Sequence, residues 1–440
     1  MDAVLLSRIQ FGLTAFFHFF FPPLTIGLAA LLAFIEYKHW RTGKKVYDEM
    51  SRFWTKLFVA CFAVGVASGI TMEFQFGTNW SEYSKFVGDI FGAPLAAEGV
   101  FAFFLESTFI ALLIFGRERI SAGLRFFAAL MVALGSSLSA FWIIVANSWQ
   151  QTPAGFKVEG GRAILTDFAA AVFNPSTIPR YLHTLDGAYI TGAFFMMAIS
   201  AYLLLKKKRV ELARHSLKLA LVVALVASLL QVFLGDIHAK QVAETQPAKL
   251  AAFEGLWETK KQAPLLLIGI PAPSQERNLL EIGVPGALSW LAFGDPQAEV
   301  KGLKDFPREE RPPVAASFYS FRLMVVLGSF FAVLLLWALW LLYRGKLYEH
   351  TFTLKALLWS LPLPFLANEL GWMAAEIGRQ PWIVYGLLKT QAAASPLPAG
   401  QILLTILAFV LIYSFLFGML VYLIRRIINK AMAEDVQEVK

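Results

Sequence analysis

QFGLTAFFHFFFPPLTIGLAALLAFIEY, residues 10–37, decides the class of this chain. The run exceeds the ~20 apolar residues that match the ~30 Å hydrocarbon core of a bilayer. Comparable runs predict helices at 52–76, 94–116, 122–147, 180–205, 214–236, 317–343, 353–377 and 401–425. With the first, these make nine transmembrane helices in an all-α polytopic membrane protein. The 440 residues are 57% hydrophobic and only 16% charged, with mean hydropathy +0.59. A soluble protein is about half apolar and about a quarter charged. Some spans exceed the bilayer thickness, so they tilt or protrude. The first run lacks the basic leader and small-residue cleavage site of a signal peptide, so it reads as a retained span.

Basic residues orient the helices. They fall in alternate connections: Lys38, Arg41, Lys44, Lys45 and Arg52; Arg117, Arg119 and Arg125; Lys206, Lys207, Lys208, Arg209, Arg214 and Lys218; Arg344, Lys346 and Lys355; then Arg425, Arg426 and Lys430. By the positive-inside rule these connections are cytoplasmic. The net charge of +8 is thus a topology signal rather than a nucleic-acid footprint. The connections near 77–93, 148–179 and 378–400 are poorer in Lys and Arg and fall outside. An odd span count puts the N-terminus outside and the C-terminus inside. Three regions follow: helices one to six in 1–236, an outer loop at 237–316 rich in proline from Pro264 to Pro313, and helices seven to nine in 317–440. Two apolar pieces of the loop, PLLLIGIP and VPGALSWLAFG, are too short to cross a bilayer. They are expected to lie at the interface or to cover a site.

The chemistry rests on polar groups inside the membrane. One cysteine, Cys61, sits in an apolar run, which excludes disulfides, thiolate zinc sites, iron–sulfur clusters and CxxCH haem attachment. Of six histidines, His39, His215 and His350 fall in cytoplasmic loops. His238 opens the outer loop and has no assigned role. His18 and His183 lie within spans or at their outer edge, where an ionisable residue is costly and therefore a functional candidate. At 1.5 Å per residue, His18 is about 12 Å, Met324 about 10 Å, Glu98 about 6 Å and Glu106 about 18 Å from the outer ends of their helices, with His183 and Glu376 near theirs. Five helices thus send haem-type ligands to one outer layer. His with Met makes a six-coordinate haem, and a single His or carboxylate leaves a position open. Glu98 and Glu106 stand about 80° apart in helical projection and two turns apart in height, a candidate proton ladder. Trp372, Glu376 and Arg379 share a helix face, with Glu369 two turns deeper, and an Arg beside a carboxylate suits a cofactor propionate.

Six segments carry a resemblance: GLTAFFHFFFPPLTIG (12–27), GAPLAAEGVFAFFLEST (92–108), SSLSAFWIIVANSW (136–149), YLHTLDGAYITGAFF (181–195), SFRLMVVLG (320–328) and NELGWMAAEIGRQPW (368–382). In this order they resemble subunit I of cytochrome bd-type quinol oxidases. The GWxxAExGRQPW and LEST segments are the most specific, and the short outer loop resembles the short-loop subgroup.

The resemblance implies roles. His183 and Met324 are expected to ligate a low-spin haem b, with Arg322 beside it, and Glu376 a high-spin haem b. His18 and Glu98 match the remaining high-spin position, which holds haem d or a further haem b. Glu106 and Ser139 match residues that feed protons toward the oxygen site. Lys249 and Glu254 in QPAKLAAFEGLWET match residues implicated in quinol binding, where a base and hydrogen-bond partners are needed at the bilayer surface. Also implied are a second large membrane subunit, in some relatives a small single-span subunit, and residence in a bacterial cytoplasmic membrane. The expected activity is quinol oxidation coupled to reduction of O2 to water, with protons taken from the cytoplasm and released outside. The rival readings are a proton-coupled transporter built on the same carboxylates and a b-type cytochrome relay to another acceptor.

Overall fold

The computed structural model describes residues 2–437, and it is mostly helical. In chain order the helices are α1 (Ala3–Phe19), α2 (Phe21–Thr42), α3 (Lys45–Thr78), α4 (Ser81–Ala97), α5 (Phe104–Phe115), α6 (Ala122–Gln151), α7 (Phe168–Val172), α8 (Thr177–Leu205), α9 (Val210–Thr245), α10 (Pro247–Glu254), α11 (Ala287–Phe293), α12 (Val314–Tyr343), α13 (Thr351–Trp359), α14 (Leu363–Ile377), α15 (Thr390–Ala393) and α16 (Ala399–Gln437). Four small antiparallel hairpins or ladders lie between them: β1 (Phe156–Glu159) with β2 (Arg162–Leu165), β3 (Lys260–Lys261) with β6 (Glu299–Val300), β4 (Leu265–Ala272) with β5 (Arg277–Val284), and β7 (Trp382–Val384) with β8 (Leu388–Lys389).

Eight helical stretches among the described residues are long and apolar enough to cross a membrane: 3–42, 45–78, 81–115, 122–151, 177–205, 210–245, 308–343 and 399–434. The expected eighth span, 353–377, is instead two shorter helices, α13 and α14. The sequence LPLPF between them explains the break, because Pro362 and Pro364 cannot donate to the preceding turn. α14 packs on α12 and α8. The first stretch is also broken, at Phe20, just before Pro22 and Pro23.

Residues 77–93 were expected as an outer connection but are largely helical. The physical reason is an apolar stripe: Tyr83, Phe86, Val87, Ile90 and Phe91 are buried at spacings of three and four, the period of a helix that covers a core. After α4 comes a π-helical turn, Glu98–Phe103, which leads into α5. The outer connections 148–179 and 378–400 carry the small hairpins and α7. The outer loop begins later than expected, because α9 continues to Thr245.

The main core joins α2, α3, α8, α9 and α12. α2 and α8 meet backbone to backbone. A Cβ on Gly27 would lie 2.3 Å from the Ala188 carbonyl oxygen, and one on Gly192 would lie 2.5 Å from the Gly27 carbonyl carbon. Glycine is required at both positions, as in other close membrane helix pairs. At the basic end, the cations are held in a buried network. Glu36 is 1% exposed and lies 3.3 Å from Arg117 and 3.7 Å from Arg125, while Asp48 takes Arg52 at 2.8 Å, Arg117 at 2.8 Å and Arg125 at 3.0 Å. Arg117 and Arg125 therefore tie α2, α3 and α6 together rather than standing free in a loop.

Candidate haem and quinol sites

His18 ends α1 just before the Phe20 break. Its Nδ1 lies 3.0 Å from the Ser68 hydroxyl, and Ser68 donates in turn to the Gly65 carbonyl at 2.9 Å. Ser68 has one proton to give, so its oxygen accepts from His18 Nδ1–H. That fixes the tautomer and leaves the Nε2 lone pair free for iron. Gly69 leaves room for the ring, since a Cβ there would lie 3.1 Å from His18 Cε1.

Glu98 opens the π-helical turn and Glu106 sits in the first turn of α5. Ser139 donates to Glu98 at 2.7 Å, and Ser136 donates to Glu106. Ser136 and Ser139 are three apart on α6, so they share a face. Both carboxylates therefore address one face of α6. The 80° offset expected for a regular helix is removed by the π turn, which takes up more residues per turn than an α-helix. Ser139 thus pairs with Glu98 rather than with Glu106, and Ser136, which the sequence reading did not single out, is the partner of Glu106. The signal was present in SSLSAFW as an i, i+3 pair of serines.

His183 on α8 faces a stripe of α9. Gln231 lies 3.3 Å from His183 Nε2, Gly235 leaves room for the ring, and the His238 ring centroid is 5.6 Å away. His183 Nδ1 is buried with no hydrogen-bond partner. One ring nitrogen therefore faces Gln231 and the other is buried and unpartnered, and in the tautomer with the proton on Nε2 the Nδ1 lone pair is free for iron. Met324 on α12 points to α14, where a Cβ on Gly371 would lie 3.1 Å from its Sδ. Two residues earlier Arg322 reaches out to Glu254 instead.

Glu376, near the end of α14, is the most heavily partnered group. Asn147 and Gln151 donate to its Oε1, each at 3.1 Å, Arg379 to its Oε2, and Arg180 lies 3.9 Å away. Gln151 Oε1 accepts from Lys249 Nζ at 2.6 Å. Arg180, Arg379 and Lys249 are all buried, at 6%, 4% and 3% exposure. Two buried guanidinium cations and the Lys249 amine surround one carboxylate. Such an excess is costly unless anions arrive, and the carboxylates of a haem supply them. The residues present fit the group. Trp372, one turn before Glu376, stacks edge-on against Phe19, the neighbour of His18, at 5.1 Å, and its own Nε1 is buried without a partner. Arg180 lies over its ring at 5.9 Å. Trp372 therefore stands between the His18 and Glu376 positions. Arg180 and Gln151 were missed in the sequence, where neither stands in the motif that flagged Glu376. Glu369 is buried deeper on α14.

α10 carries the two residues expected to bind quinol, but it sends them apart. Glu254 pairs with Arg322 and borders a cavity of about 220 Å³ lined also by Trp257, Lys260, Leu266, Glu281 and Lys304. Lys249 faces Gln151 and Glu376. Burial, and then the nearby Arg180 and Arg379, drive the Lys249 ammonium well below its usual range. Burial pushes the Glu254 carboxyl up, against the pull of Arg322. Both groups are thereby shifted toward their neutral forms. A neutral amine accepts a proton, and a neutral carboxyl donates one.

Residues 6–432 match the family described as cytochrome bd terminal oxidase subunit I. The chain is 43% identical to cytochrome bd ubiquinol oxidase subunit 1 of Bacillus subtilis (strain 168), covering 99% of this chain and 95% of that one. It is 40% identical to cytochrome bd-II ubiquinol oxidase subunit 1 of Escherichia coli (strain K12), covering 97% and 96%. Among solved structures, the bd oxidase from Geobacillus thermodenitrificans matches with a TM-score of 0.92 at 33% identity, over 98% of this chain and 99% of that one.

Proposed function

Because the chain belongs to the cytochrome bd terminal oxidase subunit I family, we propose that its buried histidines, methionine and carboxylates hold the haems of a quinol oxidase at the positions described above. The protein is a multi-pass membrane subunit of a quinol:oxygen oxidoreductase and works in a complex with a subunit II. A small single-span subunit completes the proposed assembly, in a bacterial cytoplasmic membrane. Counting α13 and α14 as one broken span gives nine crossings, with the N-terminus outside, the C-terminus inside and the 237–316 segment outside, between the helices of 1–236 and those of 317–440.

In this reading His183 and Met324 ligate a low-spin haem b, and Glu376 a high-spin haem b. His18 and Glu98 serve the remaining high-spin position, held by haem d or a further haem b. When bound, the haems carry electrons one at a time from quinol and reduce oxygen. The chain's residues do the rest. Ser68 keeps His18 in one tautomer. Arg180 and Arg379 bind propionates, and Trp372 separates two haem positions. Quinol binds beside Glu254, next to the Arg322 guanidinium. Lys249 takes up a proton through its neutral amine and is joined to Glu376 through Gln151. Ser136 with Glu106, and Ser139 with Glu98, pass protons from the cytoplasmic side toward the oxygen position. Proton uptake inside and release outside separate charge across the membrane.

The observation that carries this reading is the buried excess of positive charge around Glu376. The test is a reduced-minus-oxidised spectrum of the purified complex and of its Glu376→Gln variant, with haemochrome analysis of the extracted haems. Loss of one high-spin haem b in the variant is expected. A red-shifted band assigns haem d to the His18 position, and haem b alone assigns a further haem b. A full haem complement in Glu376→Gln refutes the assignment of that ligand.

A further inference from the structure

β4 and β5 form a two-stranded hairpin with two unlike faces. Leu266 pairs with Gly283 and Gly269 with Glu281, and Leu266 and Glu281 border the cavity beside Glu254. On the opposite face Ile268 pairs with Ile282, and these are 53% and 50% exposed. Leu267, Ile270, Leu280 and Val284 in the same two strands are also exposed. A solvated sheet face carries polar residues, and an apolar one with free edges is a template for aggregation.

The position of the hairpin says what covers it. Phe318, in the first turns of α12, packs under the hairpin: a Cβ on Gly269 would lie 2.8 Å from its ring. The same helix leaves Tyr319, Leu323 and Val326 exposed, the surface a spanning helix turns to lipid. The hairpin's apolar face thus begins where the outer end of that lipid-facing surface lies. Nearby, α11 exposes Trp290 and Phe293, residue types enriched at the membrane interface.

We propose that the Ile268–Ile282 face of this hairpin lies in the outer leaflet, where acyl chains meet headgroups. Its depth is bounded by the backbone. A two-stranded sheet leaves both outer edges unpaired, and unpaired N–H and C=O groups cannot be satisfied in hydrocarbon. They can be satisfied among headgroups and water, as in other interfacial elements. The charged turn agrees: Glu276 is held by Arg308 at 2.6 Å and Arg311 at 2.9 Å. The hairpin is then a wall with lipid on one side and the Glu254 cavity on the other. A quinol reaches that cavity without leaving the bilayer, a corollary that rests on the quinol reading above.

The test uses the assembled complex in lipid nanodiscs. An Ile282→Cys variant is labelled with bimane, with the unsubstituted complex as background because Cys61 is buried. Expected are blue-shifted emission, at least twofold quenching by lipids brominated near the glycerol, and no quenching by iodide. Red-shifted emission quenched by iodide would place the face in water and overturn the proposal. Blue-shifted emission untouched by either quencher would mean a protein cover, and would overturn it too. A second measurement needs no substitution. A lipid-borne diazirine is photolysed in the native complex and the crosslinked peptides are mapped. Crosslinks within 265–284 are expected, and none there refutes the proposal. Neither readout involves quinol, so a failed quinol site, seen as a Glu254→Gln variant with unchanged KM, is distinguishable.

Discussion

Replacing Ser136 with alanine isolates the proton path from the haems. Ser136 donates to Glu106 and also lies 3.0 Å from the Val132 carbonyl. One hydroxyl proton within reach of two acceptors is the arrangement of a relay: Glu106 can hold the shared proton while Ser136 turns to Val132. Alanine removes this and leaves Glu106, 6% exposed, without that donor. A hydrogen bond to a charged group contributes about 1.5–3 kcal/mol. If that interaction is made during proton transfer, its loss slows the step by roughly 10- to 150-fold. The assay is steady-state oxygen uptake with quinol, beside the reduced-minus-oxidised spectrum. The expected result is a fall in kcat of that order, unchanged haem content, and substantial recovery in Ser136→Thr, which restores the hydroxyl. Turnover within twofold of the native rate, in a fully haem-loaded Ser136→Ala complex, would refute the reasoning.

Three further outcomes are expected. Lys249→Met removes a buried amine whose protonation the fold opposes. The unfolded chain takes up a proton as pH falls through the usual lysine value of 10.5 while the folded chain resists, so the native protein loses stability below that value and the variant does not. Thermal melts from pH 10.5 to 7 should therefore show a shallower decline for the variant, together with weakened quinol oxidation. Met324→Leu keeps the volume of the side chain and tolerates packing, yet it should abolish the native low-spin haem b spectrum while leaving the high-spin bands. Gly192→Leu must force α2 and α8 apart, because its Cβ would meet Gly27 backbone at 2.5 Å. Overpacking of this kind costs about 1–3 kcal/mol or more, read as a lower Tm of the solubilised complex, whereas Gly88→Ala, with nothing within 4 Å, should not lower it.

Much of this was legible in the sequence because the bilayer simplifies the reading. A membrane makes apolar length decisive, so eight of the nine predicted spans coincide with long helical stretches. It also makes any interior His or Glu conspicuous, which is why His18, His183, Glu98, Glu106 and Glu376 could be singled out. What escaped was mostly geometry. Pro362 and Pro364 broke a span whose composition alone read as continuous. α4 reads as a loop because its length of apolar sequence is short, although Tyr83, Phe86, Val87 and Ile90 carry the helical period. The π turn at Glu98–Phe103 has no propensity signal, and it decided which serine meets which carboxylate. Arg180 and Gln151 lie in connections or helix ends far from Glu376 in sequence, and only the fold brings them to it.

The close crossing of α2 and α8 also bears on how the protein is made. Gly192 is synthesised roughly 165 residues after Gly27, which at 5–20 residues per second is on the order of ten to thirty seconds. For that interval the groove around Gly27 sits in lipid without the helix that fills it. His183 arrives with Gly192 on α8, whereas Glu98, proposed to share a haem position with His18, emerges earlier. The nascent chain thus passes through a stage with its first ligand exposed and its partner helix still on the ribosome. A chaperone or early haem donor that acts during elongation would meet α1 and α2 without α8, whereas one that acts after release would meet a closed bundle.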